Sequence, residues 1–396
     1  MKLRVLKFLD VAVEYAIYGV IFFIPISITM IGTFAGMATV FFLVKKILAP
    51  DFSSIKANKI LFLFLLCFFV FMDLSLLNSG PLVAKSLKAL FLKWGRFPLF
   101  LWAVIDTFGD ARRIVKAMYV LLFSATLVGF TVFTQKFFGW EFLRGRALSA
   151  GVVSGPFNNQ NSLAAYLTCV IPILLGLCLW RWKRITVRLC FLLTTSMLIV
   201  TSWWTGCRGG WLGLITGIFF LALIVNLHHM KKWIKFLFSL IFVTSIPLIA
   251  FALYFYQNRN DSDRFILARS AWGMIKEHPL LGKGLGTFMD YCAQYINGYG
   301  TYYAHNCYLQ IWAESGIFSL LCFLLFVGYV FYRSINVSLR IPRSLNYYIL
   351  IGLTAGLMGF LVHSFFEVHL YSFQLSFIFW TVLGLTVALS SSLEQR

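Results

Sequence analysis

The sequence predicts an all-α polytopic membrane protein with about twelve transmembrane helices and one large helical loop. Three observations carry this. The 396 residues are 60% hydrophobic and only 12% charged, where a soluble domain has roughly 25% charged residues. Apolar runs of about 20 residues, the length that crosses a bilayer as a helix, recur along most of the chain. Within them polar and apolar residues do not alternate as barrel strands would, and only a helix satisfies its own backbone through such a run.

Taken in order, spans are expected at about 9–25, 28–47, 60–78, 86–107, 115–134, 161–180, 187–205, 210–227, 234–256, 310–332, 345–365 and 370–390. Pro25 and Gly32 leave a tight hairpin between the first two. The opening MKLRVLK mimics the basic start of a signal peptide. No small-residue cleavage site with a soluble domain follows, so a first membrane helix is expected instead. Trp94, Trp102, Trp180, Trp182, Trp203 and Trp204 sit at span ends, where interfacial aromatic belts form. No repeat, linker or soluble domain is visible. Residues 1–396 read as a single integral membrane domain, with a large loop at 257–309 and a shorter one at 135–160.

The charge pattern sets the orientation. Starting from an inside N-terminus, alternate short loops and span ends carry Lys2/Arg4/Lys7, Lys45/Lys46/Lys56/Lys59, Arg112/Arg113/Lys116, Arg181/Lys183/Arg184/Arg188, Lys231/Lys232/Lys235, Arg333/Arg340/Arg343 and Arg396. These are 21 of the 34 Lys and Arg residues. Short-loop Lys/Arg bias places both termini inside and the large loop outside. Most of the net charge of +20 therefore serves topology and lipid contact, not nucleic-acid binding. The other 13 basic residues gather in a few outer segments, against the inside bias. An anionic ligand at the outer face is the simplest reason for them.

The eight cysteines show no CxxC and no metal-ligand spacing, and most lie in apolar blocks as small hydrophobes. Cys292 and Cys307 share the long polar interval and could pair in an oxidising compartment, although two separate thiols are the plainer reading.

Four outer segments could carry chemistry. In RGRALSAGVVSGPFNNQNSLAAYL (144–167), Gly, Ser, Pro and Asn precede a helix that begins near Asn161, with Arg146 just upstream. Free N–H groups at a helix start favour an anion, although an ordinary capped loop would look similar. In TGCRGGWLG (205–213), Arg208 stands at an outer boundary before two glycines. Its guanidinium can hold phosphate oxygens bidentately, and the competing reading is a snorkelling anchor.

The stretch SDRFILARSAWGMIKEHPLLGKGLGTF predicts a helix capped by Ser262 or Asp263 and ended at His278-Pro279. Arg264, in its first turn, is the better ligand candidate; Arg269 is expected to pair with Glu277 or Asp263. GKGLG, with Lys283, lacks P-loop spacing and follows no strand. In YYAHNCYLQIWAESG, His305 sits where the outer loop re-enters a span and is the natural proton acceptor near neutral pH. Arg269, Lys283, Asn306 and Glu314 are supporting candidates, Glu314 equally a helix-packing group.

Two further features are weaker. Lys85, Lys88, Lys93 and Arg96 project to one side of a helix at about 100° per residue. Such a helix could lie in the outer interface and guide an anionic lipid headgroup through Lys88, Lys93 and Arg96, or simply snorkel. His363, Glu367 and His369 share a short outer turn with a metal-ligand look, but one turn alone is a weak metal signal.

These residues resemble the bacterial O-antigen ligase and O-antigen polymerase superfamily of membrane glycosyltransferases. The likeness covers most of the chain and rests on the Arg146 loop with PFNNQNSLA, on TGCRGG, on SDRFILARSAWGMIKEHPLLGKGLGTF and on AHNCYLQIWAESG. It implies a twelve-span layout in the bacterial inner membrane, with both termini cytoplasmic and an active site facing the periplasm. It also implies an undecaprenyl-diphosphate-linked glycan as donor. A ligase would move that glycan to lipid A–core or another glycolipid; a polymerase would move it to another lipid-linked repeat unit. The family's essential arginines map onto Arg208 and Arg264, its histidine onto His305, and another recurrent arginine onto Arg146. It implies no cofactor, metal or nucleotide, and the outer loops here hold no DxD-like pair.

Inverting transfer by ligase-type chemistry is the leading expectation, with polymerase as the alternative. A lipid-linked oligosaccharide transporter is a second alternative, but the polar residues cluster outside the membrane and no repeated halves are visible. A non-catalytic assembly partner is opposed only by the Arg/His constellation.

Overall fold

The computed structural model describes residues 2–148, 151–227, 262–295 and 303–395. Twelve helices organise them: α1 (Lys2–Phe23), α2 (Ile28–Leu48), α3 (Lys59–Leu74), α4 (Arg96–Thr107), α5 (Ala111–Phe138), α6 (Gln160–Leu179), α7 (Ile185–Trp204), α8 (Arg208–Leu227), α9 (Ser262–Glu277), α10 (Cys307–Arg340), α11 (Leu345–His363) and α12 (Phe373–Glu394). Nine helices among the described residues are long and apolar enough to cross a membrane: α2, α3 with its 3-10 extension to Asn78, α5 to α8, and α10 to α12. The protein is an all-α polytopic membrane protein.

Of the expected spans outside those nine, 9–25 overlaps α1, which ends two residues earlier, at Phe23, and 234–256 lies outside the described residues. The span expected at 86–107 is broken. A short helix (Val83–Lys88) runs into a π-helical turn (Ala89–Trp94), and α4 then begins after Gly95. The Gly95 N–H donates to Leu90 O at 2.6 Å, so one extra residue is accommodated and the helix is re-aimed. The single basic stripe expected at α-helical spacing is therefore interrupted.

Burial puts α12 at the centre, 94% of its most apolar window being enclosed by the bundle, whereas α2 and α3 present most of their surface to lipid. Helices α6, α8 and α11 meet through glycines. A Cβ added at Gly213 would lie 2.6 Å from Gly359 O, and one at Gly356 2.3 Å from Cys169 O. Lipid tails are as apolar as leucine, so close backbone approach and van der Waals contact hold such helices together.

Helix α10 breaks at Gly316, whose φ of 81° lies in the left-handed region. The segment 279–288 crosses the break. Ile317 N donates to Pro279 O at 3.0 Å, Lys283 N to Ala313 O at 2.9 Å, and Gly284 N to Glu314 O at 3.0 Å. The buried Glu314 carboxylate accepts from Gly286 N (2.9 Å), Phe288 N (3.2 Å) and Gln310 Nε2 (3.3 Å). GKGLG is thus a strap across a broken helix, and Glu314 is the group that fixes it.

At the opposite end of the bundle the loop charges are paired. Lys46 meets Asp106 at 2.7 Å, Lys45 meets Asp10 at 2.7 Å, Arg113 meets Glu14 at 3.1 Å, and Arg333 meets Glu394 at 2.6 Å. No disulfide links Cys292 to Cys307.

Candidate active site

Five segments converge at one end of the bundle: the start of α6, the α7–α8 turn, the first turn of α9, the stretch before α10, and the α11–α12 turn. Each is positioned by local chemistry. Asn159 caps α6, its side chain accepting from Ser162 N at 2.8 Å. Arg208 opens α8, where the first backbone N–H groups lack helical partners. Asn306 caps α10, its Oδ1 accepting from Tyr308 N and Leu309 N, each at 3.0 Å. Two bonds then tie this cap to α11: Cys307 N to Ser364 O (2.9 Å) and the Tyr308 hydroxyl to Leu361 O (2.8 Å).

His305, just before that cap, has φ 49°, the one positive φ at a non-glycine residue among those described. Such backbone costs on the order of 1 kcal/mol or more and persists where its surroundings hold it. It turns the imidazole towards the α11–α12 turn. Nδ1 lies 3.0 Å from Glu367 Oε2. The other carboxylate oxygen, Oε1, accepts from Asn161 Nδ2 at 2.5 Å and from Arg264 Nη2 at 3.3 Å. Burial pushes the Glu367 carboxyl up, but the His305 hydrogen bond and the nearby His305 and Arg264 charges outweigh it and hold the group below the usual carboxylate range. An ionised Glu367 only accepts, so Nδ1 carries the proton and Nε2 is left as the basic nitrogen.

Two cavities flank this carboxylate. The first, about 470 Å³, is lined by Arg208, Arg264, Gln160, Cys207 and His363. The second, about 370 Å³, is lined by His305, Tyr303, Asn158, Asn159, Tyr371 and Phe373. Asn161 and Glu367 line both and form the wall between them. The two arginines thus face one cavity and the imidazole the other. Cys207 is no thiolate nucleophile, because burial pushes its thiol up to about 11.

Residues 193–324 match the family model described as O-antigen ligase. The match spans a third of the chain, and over that stretch the chain is similar to the O-antigen ligase family. The matched stretch runs from α7 into α10 and contains Arg208, Arg264 and His305; Asn161 and Glu367 lie outside it. A comparison with curated proteins gave no match.

The site does not gather every candidate from the sequence. Arg146 is absent from the arginine cavity's lining; it donates through Nη1 to Phe157 O and through Nη2 to Asn158 Oδ1 at 2.7 Å. Arg269 lies exposed on α9. Its expected partner Glu277 pairs instead with Lys283, at 2.5 Å, and with the Tyr295 hydroxyl, at 2.6 Å. The other expected partner, Asp263, has a side chain outside the described set. Lys283 is spent on that cluster and stacks over Tyr291, 4.7 Å from the ring centroid. Lys85 pairs with Asp290 at 2.5 Å, Lys88 and Lys93 are exposed, and Arg96 sits 4.8 Å over the Phe373 ring, behind the second cavity. In the turn with a metal-ligand look, Glu367 is directed at His305 while His363 and His369 pack ring to ring at 4.3 Å.

Sequence reasoning missed Asn161 and gave Glu367 the wrong company. The available signal was chemical: an acidic residue in an outer turn, among segments otherwise rich in cations.

Proposed function

We propose that the protein is a membrane glycosyltransferase that moves a glycan from an undecaprenyl-diphosphate donor to lipid A–core, in one inverting step without a metal ion. The observation that supports it best is the pairing of Arg208 and Arg264 in one cavity with His305 in the next, Glu367 lining both and bonded to His305.

In this reading the donor's diphosphate lies against Arg208 and Arg264. Their fixed positive charge stabilises the negative charge that develops as the anomeric carbon–oxygen bond breaks. The acceptor hydroxyl approaches from the other cavity. Its oxygen forms the new bond to the anomeric carbon, its proton passes to His305 Nε2, and the bonding pair leaves with the diphosphate. A single displacement inverts the anomeric centre. Glu367 keeps the imidazole in the correct tautomer and balances the imidazolium. Orientation follows the same reading: the site faces the periplasm of the inner membrane and both termini are cytoplasmic.

The test is a gene deletion read on a lipopolysaccharide gel, complemented with wild-type and His305→Ala chains. Loss of all bands above core, with lipid-linked polymer accumulating, supports the ligase. Core carrying one repeat unit means the polymerase activity of the same superfamily, and full activity of His305→Ala sinks the mechanism.

A further inference from the structure

The second cavity differs chemically from the first. No lysine or arginine is among its described lining residues, whereas two arginines line its neighbour. Its walls are aromatic and amide: Tyr303, Tyr371 and Phe373 with Asn158, Asn159 and Gln374. The rings are held in place from behind. Trp94 meets Tyr371 edge-on at 5.4 Å between centroids, and the Arg96 guanidinium sits over Phe373. The Tyr303 and Tyr371 rings lie 6.1 Å apart. The amides are fixed as well. Gln374 donates to Ile24 O at 3.0 Å, and Arg146 holds the Asn158 carbonyl oxygen, which leaves the Asn158 NH2 as the donor. Its one carboxylate, Glu367, is already engaged by His305, Asn161 and Arg264.

Fixed aromatic faces bury the C–H surface of a pyranose, and amide groups match its hydroxyls without charge. An acidic sugar would bring a carboxylate beside Glu367, and no lysine or arginine among the described lining residues would receive it.

Resting on the transferase reading above, we infer that this second cavity is the acceptor-sugar subsite, that it selects a neutral pyranose over a uronic acid, and that Arg146 serves it by positioning Asn158. Arg146 is then a positioning residue of the acceptor side, not a diphosphate ligand.

The test uses the full chain in lipid nanodiscs and saturation-transfer NMR. The probes are the methyl glycosides of glucose, galactose, mannose and N-acetylglucosamine, against those of glucuronic and galacturonic acid. Undecaprenyl diphosphate binding is measured in parallel. At least one neutral glycoside should bind tenfold or more tightly than either uronide. Asn158→Ala and Tyr303→Ala should weaken it at least fivefold and leave undecaprenyl diphosphate binding intact. Arg146→Lys should follow Asn158→Ala, while Arg208→Ala should do the reverse.

The inference is overturned if no neutral glycoside binds, if a uronide binds as well, or if binding ignores Asn158 and Tyr303. It is overturned for Arg146 alone if Arg146→Lys weakens undecaprenyl diphosphate and spares the sugar. If undecaprenyl diphosphate binding is indifferent to both Arg208 and Arg264, the transferase reading itself fails, whatever the sugar does.

Discussion

His305 Nδ1 and Glu367 Oε2 lie 3.0 Å apart although 62 residues separate them in the chain. The contact joins the last turn before α10 to the loop after α11. It fixes which imidazole nitrogen carries the proton. Replacing Glu367 with Gln keeps the shape but lets the amide NH2 face Nδ1, which favours the wrong tautomer. In a hydrolase triad the same change costs up to about four orders of magnitude. Glu367→Gln should lower kcat by about a hundredfold or more, with donor KM little changed and partial recovery in Glu367→Asp. Steady-state transfer kinetics in proteoliposomes would check it; a kcat within threefold of wild type removes Glu367 from the mechanism.

Arg208 and Arg264 line the same cavity from α8 and α9. A lysine keeps the charge but cannot present two parallel N–H donors to a diphosphate. Arg208→Lys should cost about 10- to 100-fold in kcat/KM, roughly 1.4 to 2.7 kcal/mol. Arg264→Lys should cost more, because Arg264 also donates to Glu367 Oε1 at 3.3 Å and so supports the base indirectly. Measuring both variants and the double variant separates the roles. Equal losses from the two single changes would argue against the second role of Arg264.

How much of this is visible before folding depends on what each residue's signal is. Arg208 and Arg264 stand out because a cation at the outer edge of an apolar run violates the inside-positive bias, and His305 because it closes the longest polar interval. Such signals are local. Glu367 sits between apolar neighbours in FFEVH, and the histidines nearest to it in sequence are His363 and His369, which makes it read as part of a metal-type turn. Its actual partners, Asn161, Arg264 and His305, come from three other segments, and only the packing of α6, α9 and α10 around α11 brings them in. Arg146 shows the converse: the residue is conspicuous, but its hydrogen bonds go to backbone and amide eleven and twelve residues on. The fold class follows from apolar run length alone. The break in 86–107 does not, because a π-helical turn leaves no compositional mark.

The break in α10 makes a prediction about stability. A Cβ at Gly316 would sit 2.0 Å from Leu280 O, and φ is 81°. Gly316→Ala therefore meets both a backbone clash and a strained backbone, and neither relaxes without moving the 279–288 strap. It should cost several kcal/mol, in the range of the most harmful single changes. Gly36→Ala, where no atom lies within 4 Å of the added Cβ, serves as the control and should be neutral or slightly stabilising. Thermal-shift measurements on purified protein would check the pair. Similar midpoints for the two variants would mean that the strap does not depend on the bend.

The Glu277–Lys283 pair gives a pH dependence. Hydrogen bonds from Lys283 and Tyr295 hold the Glu277 carboxyl below its usual value of 4.5. Burial pulls the Lys283 ammonium down, but its bonds to Glu277 and Tyr295 win and leave it above its usual 10.5. For Glu277, a folded value below the unfolded one means that the stabilisation is present above about pH 4.5 and is lost as pH falls through the folded value. For Lys283 the sign reverses: its share is present below about pH 10.5 and is lost as pH rises through the folded value. From about pH 5 to 10 the contribution is therefore flat. The Glu277 side chain is 48% accessible, so solvent screens the pair and its worth is small. Glu277→Gln should lower the unfolding midpoint by roughly 2 °C at pH 7. The gap to wild type should stay constant between pH 6 and pH 9 and close towards pH 3. A gap that instead grew on acidification would show that the carboxyl is held above its usual value, and the strap's anchoring by this pair would have to be abandoned.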